Sequence, residues 1–213
     1  MGDLQRLKRI ISIHTICLFL GISLAAFFQP LIAQTIQLKK EYGATVVSLS
    51  RALMKRQMAN TTDPDFGGIW CEHCHVWHTR AAEAVYPFTI SYFITKDERY
   101  LAAAKNTAAW LIRQQQSNGS WKETPEEWTG TTTDQLLMLL LSYEKLEGKL
   151  TDAEKRNWQQ AMRNAASYLN AVMKPEFAST NYVATTTATL AKAGIVLQDA
   201  SYTSKARILA RRT

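Results

Sequence analysis

The chain has 213 residues, 46% of them hydrophobic and 20% charged, which is enough for one domain with a real core and too ordinary a composition for a disordered or low-complexity polymer. The net charge of +7 suits anionic partners, but the bases are dispersed, which argues against nucleic acid. Three cysteines, one of them near the N-terminus, do not make a disulfide framework.

The first element reads as an export segment. Arg6, Lys8 and Arg9 precede an apolar run from Ile10 to Phe28, and Leu31-Ile32-Ala33 offers a cleavage site. Residues 1–33 are therefore expected to be a signal peptide of bacterial type, or an uncleaved N-terminal anchor. The protein is then periplasmic or secreted, touching a membrane only through that segment if it is retained. The remaining 34–213 form one expected domain, which keeps Cys71 and Cys74 and remains mildly basic. A basic exported domain fits uronic or sulfated glycans, although solubility alone also accounts for the charge.

Glycine and proline are scarce after residue 34, and no alternating strand pattern recurs, so the fold class is all-α. An amphipathic helix is expected over Lys39–Met58, ended by Asp63-Pro64-Asp65-Phe66-Gly67-Gly68. An alternation follows. Thr79–Ile94, Thr132–Leu146 and Asn181–Leu197 are apolar or small on nearly every side, whereas Glu98–Gln116, Asp152–Met173 and Ala200–Arg211 carry one apolar stripe. A helix that is apolar all round is buried all round, and a striped helix lies outside a core. The order is thus inner, outer, inner, outer, inner, outer, with a repeat of roughly fifty residues. Thr151-Asp152-Ala153-Glu154 is a capping box for the fourth of these helices. The period matches the helical hairpins of an (α/α) toroid. A six-hairpin ring needs about twice this length, so about three hairpins of an incomplete toroid are expected.

In such an arrangement the inner helices run parallel and their N-termini share one mouth. The loops entering it carry Trp70, Trp77, Trp121 and Trp128 with polar residues between them. Aromatic faces stack on sugar rings, and polar groups pair with hydroxyls and carboxylates; each tryptophan could equally plug a gap between hairpins. Trp77, Trp121, Trp128, Glu83 and Gln135 are the expected substrate-binding residues. Arg80 and Glu83, three apart, can pair on one helix face. Glu127 and Asp134 stand at the entrance of the second inner helix. Two carboxylates across a cleft suit glycoside hydrolysis.

The densest reactive cluster is Cys71-Glu72-His73-Cys74-His75, followed by Val76-Trp77-His78. Three readings stand side by side. Cys71-x2-Cys74 has zinc-knuckle spacing, with His75 and His78 as further ligands of a structural Zn site. Cys71-x2-Cys74-His75 also satisfies the c-type haem attachment rule, without a haem-wrapping domain around it. The third is a simple CxxC disulfide.

Two resemblances sharpen the picture. Trp110-Leu111-x3-Gln115-x3-Gly119-x-Trp121 resembles the QW motif of terpene-cyclase toroids. That resemblance implies a glutamine bonding exposed carbonyls at the end of an outer helix, and a glycine turn. It supports the fold and not an isoprenoid reaction, because the acidic motif of those cyclases is missing. Ser179-Thr180-Asn181-Tyr182-Val183, opening a small apolar helix, resembles the heparinase II/III-like polysaccharide lyases. There an Asn, followed by His, opens an inner helix and helps neutralise a uronate carboxylate. By that resemblance Asn181 is the neutraliser and Tyr182, standing where His would be, is a candidate base or acid. Asn181 could also be a plain helix cap. The expected function is an exported carbohydrate-active enzyme on a uronate-containing polysaccharide or oligosaccharide. β-Elimination through His78, Arg80, Asn181 and Tyr182 stands slightly ahead of hydrolysis through Glu127, Asp134 and Glu83. A non-catalytic glycan-binding repeat protein is the alternative.

Overall fold

A computed structural model of the chain describes residues 34–122, 130–176 and 180–211. The export segment 1–33 and the candidates Glu127 and Trp128 lie outside the described residues. The chain divides into two compact units, Met1–Thr45 and Val46–Thr213. In the first unit, residues 34–45 are helical, with Gln37 donating to Glu41 across one turn at 2.7 Å. No helix among the described residues is long and apolar enough to cross a membrane.

The fold is all-α. Helix α1 covers 34–54, of which residues 46–54 belong to the second unit. A two-stranded hairpin follows, β1 (Trp70–Cys71) and β2 (Val76–Trp77), then a 3-10 helix at Thr79–Ala84. The remaining helices are α2 (Val85–Thr95), α3 (Glu98–Arg113), α4 (Thr132–Leu146), α5 (Asp152–Val172), α6 (Thr180–Val196) and α7 (Ala200–Leu209).

The expected inner helix over Thr79–Ile94 is broken in two, and Pro87 supplies the reason. It has no N–H to return to the carbonyl of Glu83, so an α-helix cannot run across it. It is tolerated in the first turn of α2, where the N–H groups have no partner within the helix. The hairpin at 70–77 is an element that helical periodicity did not announce.

Successive helices pair as α2–α3, α4–α5 and α6–α7, and the pairs stack on one another. α2 touches α4, and α4 touches α6; in the second row α3 touches α5, and α5 touches α7. This two-layer order is the inner and outer alternation expected from the apolar patterns. α4 is walled by α2, α5 and α6, so Leu136, Leu139, Leu140 and Leu146 are fully buried. α5 buries one stripe only: Trp158, Ala161, Met162, Ala165, Ala166 and Leu169. α6 departs from the expectation: Ala184, Ala188 and Ile195 are exposed on it, Ile195 at 69%. Its inner-row neighbour in the described chain, α4, covers one side only.

The capping box forms as the sequence suggests. The Thr151 hydroxyl accepts from the Glu154 N–H, and the Glu154 carboxylate accepts from the Thr151 N–H at 2.7 Å. Asp97 and Asp199 cap α3 and α7 in the same manner, through Arg99 and Ser201. All three carboxyls are held below their ordinary values. For Asp97 the cause is its bonds to the Arg99 side chain and N–H, and for Asp199 the hydroxyl and N–H of Ser201. For Glu154, partial burial pushes upward, but the Thr151 N–H and hydroxyl together with Lys105 outweigh it.

One carboxamide device recurs, tying the segment that follows a helix to the next helix of the second row. Gln115 Nε2 donates to Gly119 O and to Ala161 O on α5, both at 2.9 Å, while Asn164 Nδ2 donates to its Oε1. Gln57 Nε2 does the equivalent one hairpin earlier, donating to Ala103 O at 2.9 Å, to Thr107 Oγ1 at 2.7 Å and more weakly to Gly67 O. Both glutamines reach a backbone carbonyl 46 positions ahead. The glycines match as well. Gly67 and Gly119 have φ of +90° and +91°, and a Cβ on either would run into the backbone carbonyl of Asn106 or Asn164, respectively. The QW-like pattern is thus the second occurrence of a staple that begins at Gln57.

Candidate active site

The rim is built outward from β1 and β2. Ile69, 2% exposed, anchors the strand start. Trp70 faces Trp77 across the hairpin with ring centroids 5.1 Å apart. The chain then leaves through His78, whose Nδ1 accepts from the Arg80 N–H at 3.2 Å and so caps the 3-10 helix. Thr79 turns inward and its hydroxyl donates to the Lys122 carbonyl. Gln135, in the first turn of α4, donates from Nε2 to Thr79 Oγ1 at 3.0 Å. Thr132 Oγ1 accepts from the Trp121 N–H at 3.0 Å. These bonds bring the starts of the 3-10 helix and of α4 to one place.

α6 joins them through buried hydroxyls. Thr186 Oγ1 donates to Thr133 Oγ1 at 3.1 Å, and Thr189 Oγ1 donates to the Thr133 carbonyl at 3.1 Å. Further along both helices Lys192 meets Glu144 at 2.6 Å. The pairings advance together, Thr133 with Thr186 and Thr189, then Glu144 with Lys192, so α4 and α6 run parallel. Their N-terminal ends lie on the same side, as the inner-helix reading requires. The run Thr131-Thr132-Thr133 and its counterpart Thr185-Thr186-Thr187 are the sequence signal for this polar seam.

The candidate residues divide by position. His78 and Trp77 are half-buried at the rim, and Arg80 is exposed there, with its Nε 3.6 Å from Glu83 Oε1. Asp134 is half-buried in the first turn of α4. Asn181 is exposed at the start of α6, and Tyr182 packs partly against the core. Because α6 begins at Thr180, Asn181 sits inside the first turn and is not its N-cap. Gln135 is fully buried and serves as an inner wall, bonded to Thr79. Trp121 corrects the stacking expectation. It is 0% exposed, and its indole N–H donates to the Leu111 carbonyl at 2.7 Å. It plugs the end of α3 and offers no face to a sugar, its N–H adding a second bond to a carbonyl that also accepts from the Gln114 N–H.

Cys71 ends β1 and Cys74 lies in the turn after it, and no disulfide joins them. The Cys74 N–H points at Cys71 Sγ, 3.3 Å away. That bond is the main reason the Cys71 thiol lies below its ordinary value, aided by the Cys74 side chain, the His73 N–H and the nearby Arg56, against slight desolvation. His75 adopts φ +53° and sets its ring edge-on to Trp70 at 6.4 Å. Among the described residues no group of three or more His, Cys, Asp or Glu side chains is arranged to hold a metal ion. The structure brings Cys71 and Cys74 together, while His75 turns to Trp70 and His78 to the helix start.

An all-α stack of hairpins, with parallel inner helices and a polar, aromatic rim at their N-terminal ends, is the class of domain that fold and site define. The family model described as the ulvan lyase N-terminal domain matches residues 46–213, the whole second compact unit, and the chain belongs to that family. It is 28% identical over 162 residues to the broad-specificity ulvan lyase of Formosa agariphila, an alignment covering 74% of this chain and 25% of that protein. The chain therefore matches a minor share of that relative's length. No solved structure matches.

Proposed function

We propose that this domain belongs to an exported polysaccharide lyase that cleaves a uronate-containing polysaccharide of the ulvan type by β-elimination. The observation that carries the reading is the family match over the entire hairpin unit. The rim supports it, because His78, Arg80, Asn181 and Tyr182 all stand at the starts of inner-row elements. The surrounding hairpins are read as part of an (α/α) toroid. In the proposed chemistry Arg80 and Asn181 face the uronate carboxylate and draw off its charge. The C5 proton becomes more acidic, and Tyr182 or His78 removes it. The electron pair left at C5 forms the C4–C5 double bond, and the C4–oxygen bond breaks, with a proton delivered to the leaving oxygen. Glu83 holds Arg80 in place across 3.6 Å.

The test is direct. The full chain is incubated with ulvan and followed in the near ultraviolet, where the unsaturated product absorbs. Rising absorbance, lost in Asn181→Ala, supports the lyase reading. Reducing ends without that absorbance would mean hydrolysis. Binding without turnover would leave a glycan-binding module, and neither binding nor turnover on any uronate polymer removes the carbohydrate reading altogether.

A further inference from the structure

We infer that Cys71 and Cys74 form a reversible dithiol–disulfide pair, a covalent modification site open to low-molecular-weight disulfides. This inference does not rest on the lyase reading. It starts from position: Cys74 is exposed and Cys71 partly so, both at the tip of a hairpin that otherwise buries its start. The two cysteines fall within one tight turn, closed by the His75 N–H on the Cys71 carbonyl at 2.9 Å. A disulfide needs a Cα separation of roughly 4.4–6.8 Å, a span that two residues three positions apart within one chain turn can meet. The Cys74 N–H already faces Cys71 Sγ. The stem is held by the Trp70–Trp77 contact and by Ile69. Closing the bond therefore needs side-chain rotation at the tip and no change in the stem.

The competing use of such a pair is a metal knuckle, which takes four ligands in tetrahedral order. Here the Cys74 N–H is on Cys71 Sγ, while His75 packs on Trp70 and His78 accepts from the Arg80 N–H, which favours sulfur–sulfur chemistry. The step balances with a small dialkyl disulfide such as glutathione disulfide as oxidant. The Cys71 thiolate attacks one sulfur of that disulfide, a mixed disulfide forms, and one small thiolate leaves. Cys74 gives its proton to solvent and attacks Cys71 Sγ, which releases the second small thiolate. The protein pair loses two electrons, and the small disulfide becomes two thiols.

The experiment equilibrates the purified full chain with glutathione and glutathione disulfide at a series of ratios, then alkylates free thiols and measures the peptide spanning 57–80 after cleavage at arginine. That peptide contains both cysteines and excludes Cys17. The expected result is loss of both alkylation sites together as the buffer becomes oxidising, with full recovery under a dithiol reductant. Cys71→Ser and Cys74→Ser should each carry one glutathione on the remaining cysteine instead. Unchanged alkylation at every ratio overturns the inference. So does stoichiometric zinc in the freshly isolated chain that disappears in Cys71→Ser, or a haem absorption band.

Discussion

Replacing Gln115 by Leu keeps the volume and removes the carboxamide that ties the end of α3 to α5. Three bonds go: two at 2.9 Å to the carbonyls of Gly119 and Ala161, and one at 3.3 Å from Asn164. A net hydrogen bond is worth about 1 kcal/mol, and a half-buried carbonyl left alone adds to the loss. The two short bonds set the scale, so the expected cost is about 2–3 kcal/mol. For a unit of this size that corresponds to a drop of roughly 4–12 °C in Tm. Urea unfolding followed by far-ultraviolet circular dichroism on the full chain would read it as a lower midpoint with unchanged slope. Gln57→Leu removes the equivalent staple one hairpin earlier, and the two losses should add to within about 0.5 kcal/mol, as for sites without shared partners. A Gln115→Leu midpoint equal to the parent would refute the staple as a stabilising device.

Other outcomes follow from the same geometry. Gly119→Ala puts a side chain at φ +91° and against the Asn164 carbonyl, so a loss of about 3 kcal/mol or more is expected in the same unfolding assay. Trp121→Ala should cost about 3–5 kcal/mol and leave glycan affinity per folded molecule unchanged, which titration calorimetry would check. Arg80→Ala should slow release of unsaturated product from a uronate polymer, and the carboxyl-reduced polymer, which lacks the group that acidifies C5, should give none with either chain. Acid should weaken the fold through Asp97, Glu154 and Asp199, whose folded values are all depressed. Their stabilisation is complete above the unfolded values near about 4 and disappears as pH falls through the lower folded values. A midpoint flat from neutral to mildly acidic pH, then falling below about pH 4, is the expected profile.

The layer order was legible because burial on all sides and burial on one side leave different apolar patterns. The run Leu136 to Leu141 and the stripe from Trp158 to Leu169 each said which row they belong to. The 70–77 hairpin was not legible, since strands of two residues have no period to read. Trp121 was misplaced for a related reason. A tryptophan in a connecting loop looks the same in sequence whether its ring meets solvent or caps a helix end, and the Leu111 carbonyl that decides the matter is on another element. Gln57 has no accompanying tryptophan pattern to mark it in the sequence, although its offset to Ala103 repeats that of Gln115 to Ala161. His78 and Arg80 stand at the start of the 3-10 helix and Asn181 in the first turn of α6, close to the helix boundaries that the sequence implies.

The Gln57 tie joins the segment after α1 to α3, and the Gln115 tie joins the end of α3 to α5. The stack is therefore held in series, like links that know only their neighbours. Loss of one link should weaken the contact it makes and leave the contribution of the other unchanged. Amide exchange would then show protection in graded steps along the row, highest at the doubly walled α4 and lower at α6 and α7, where only one side is covered.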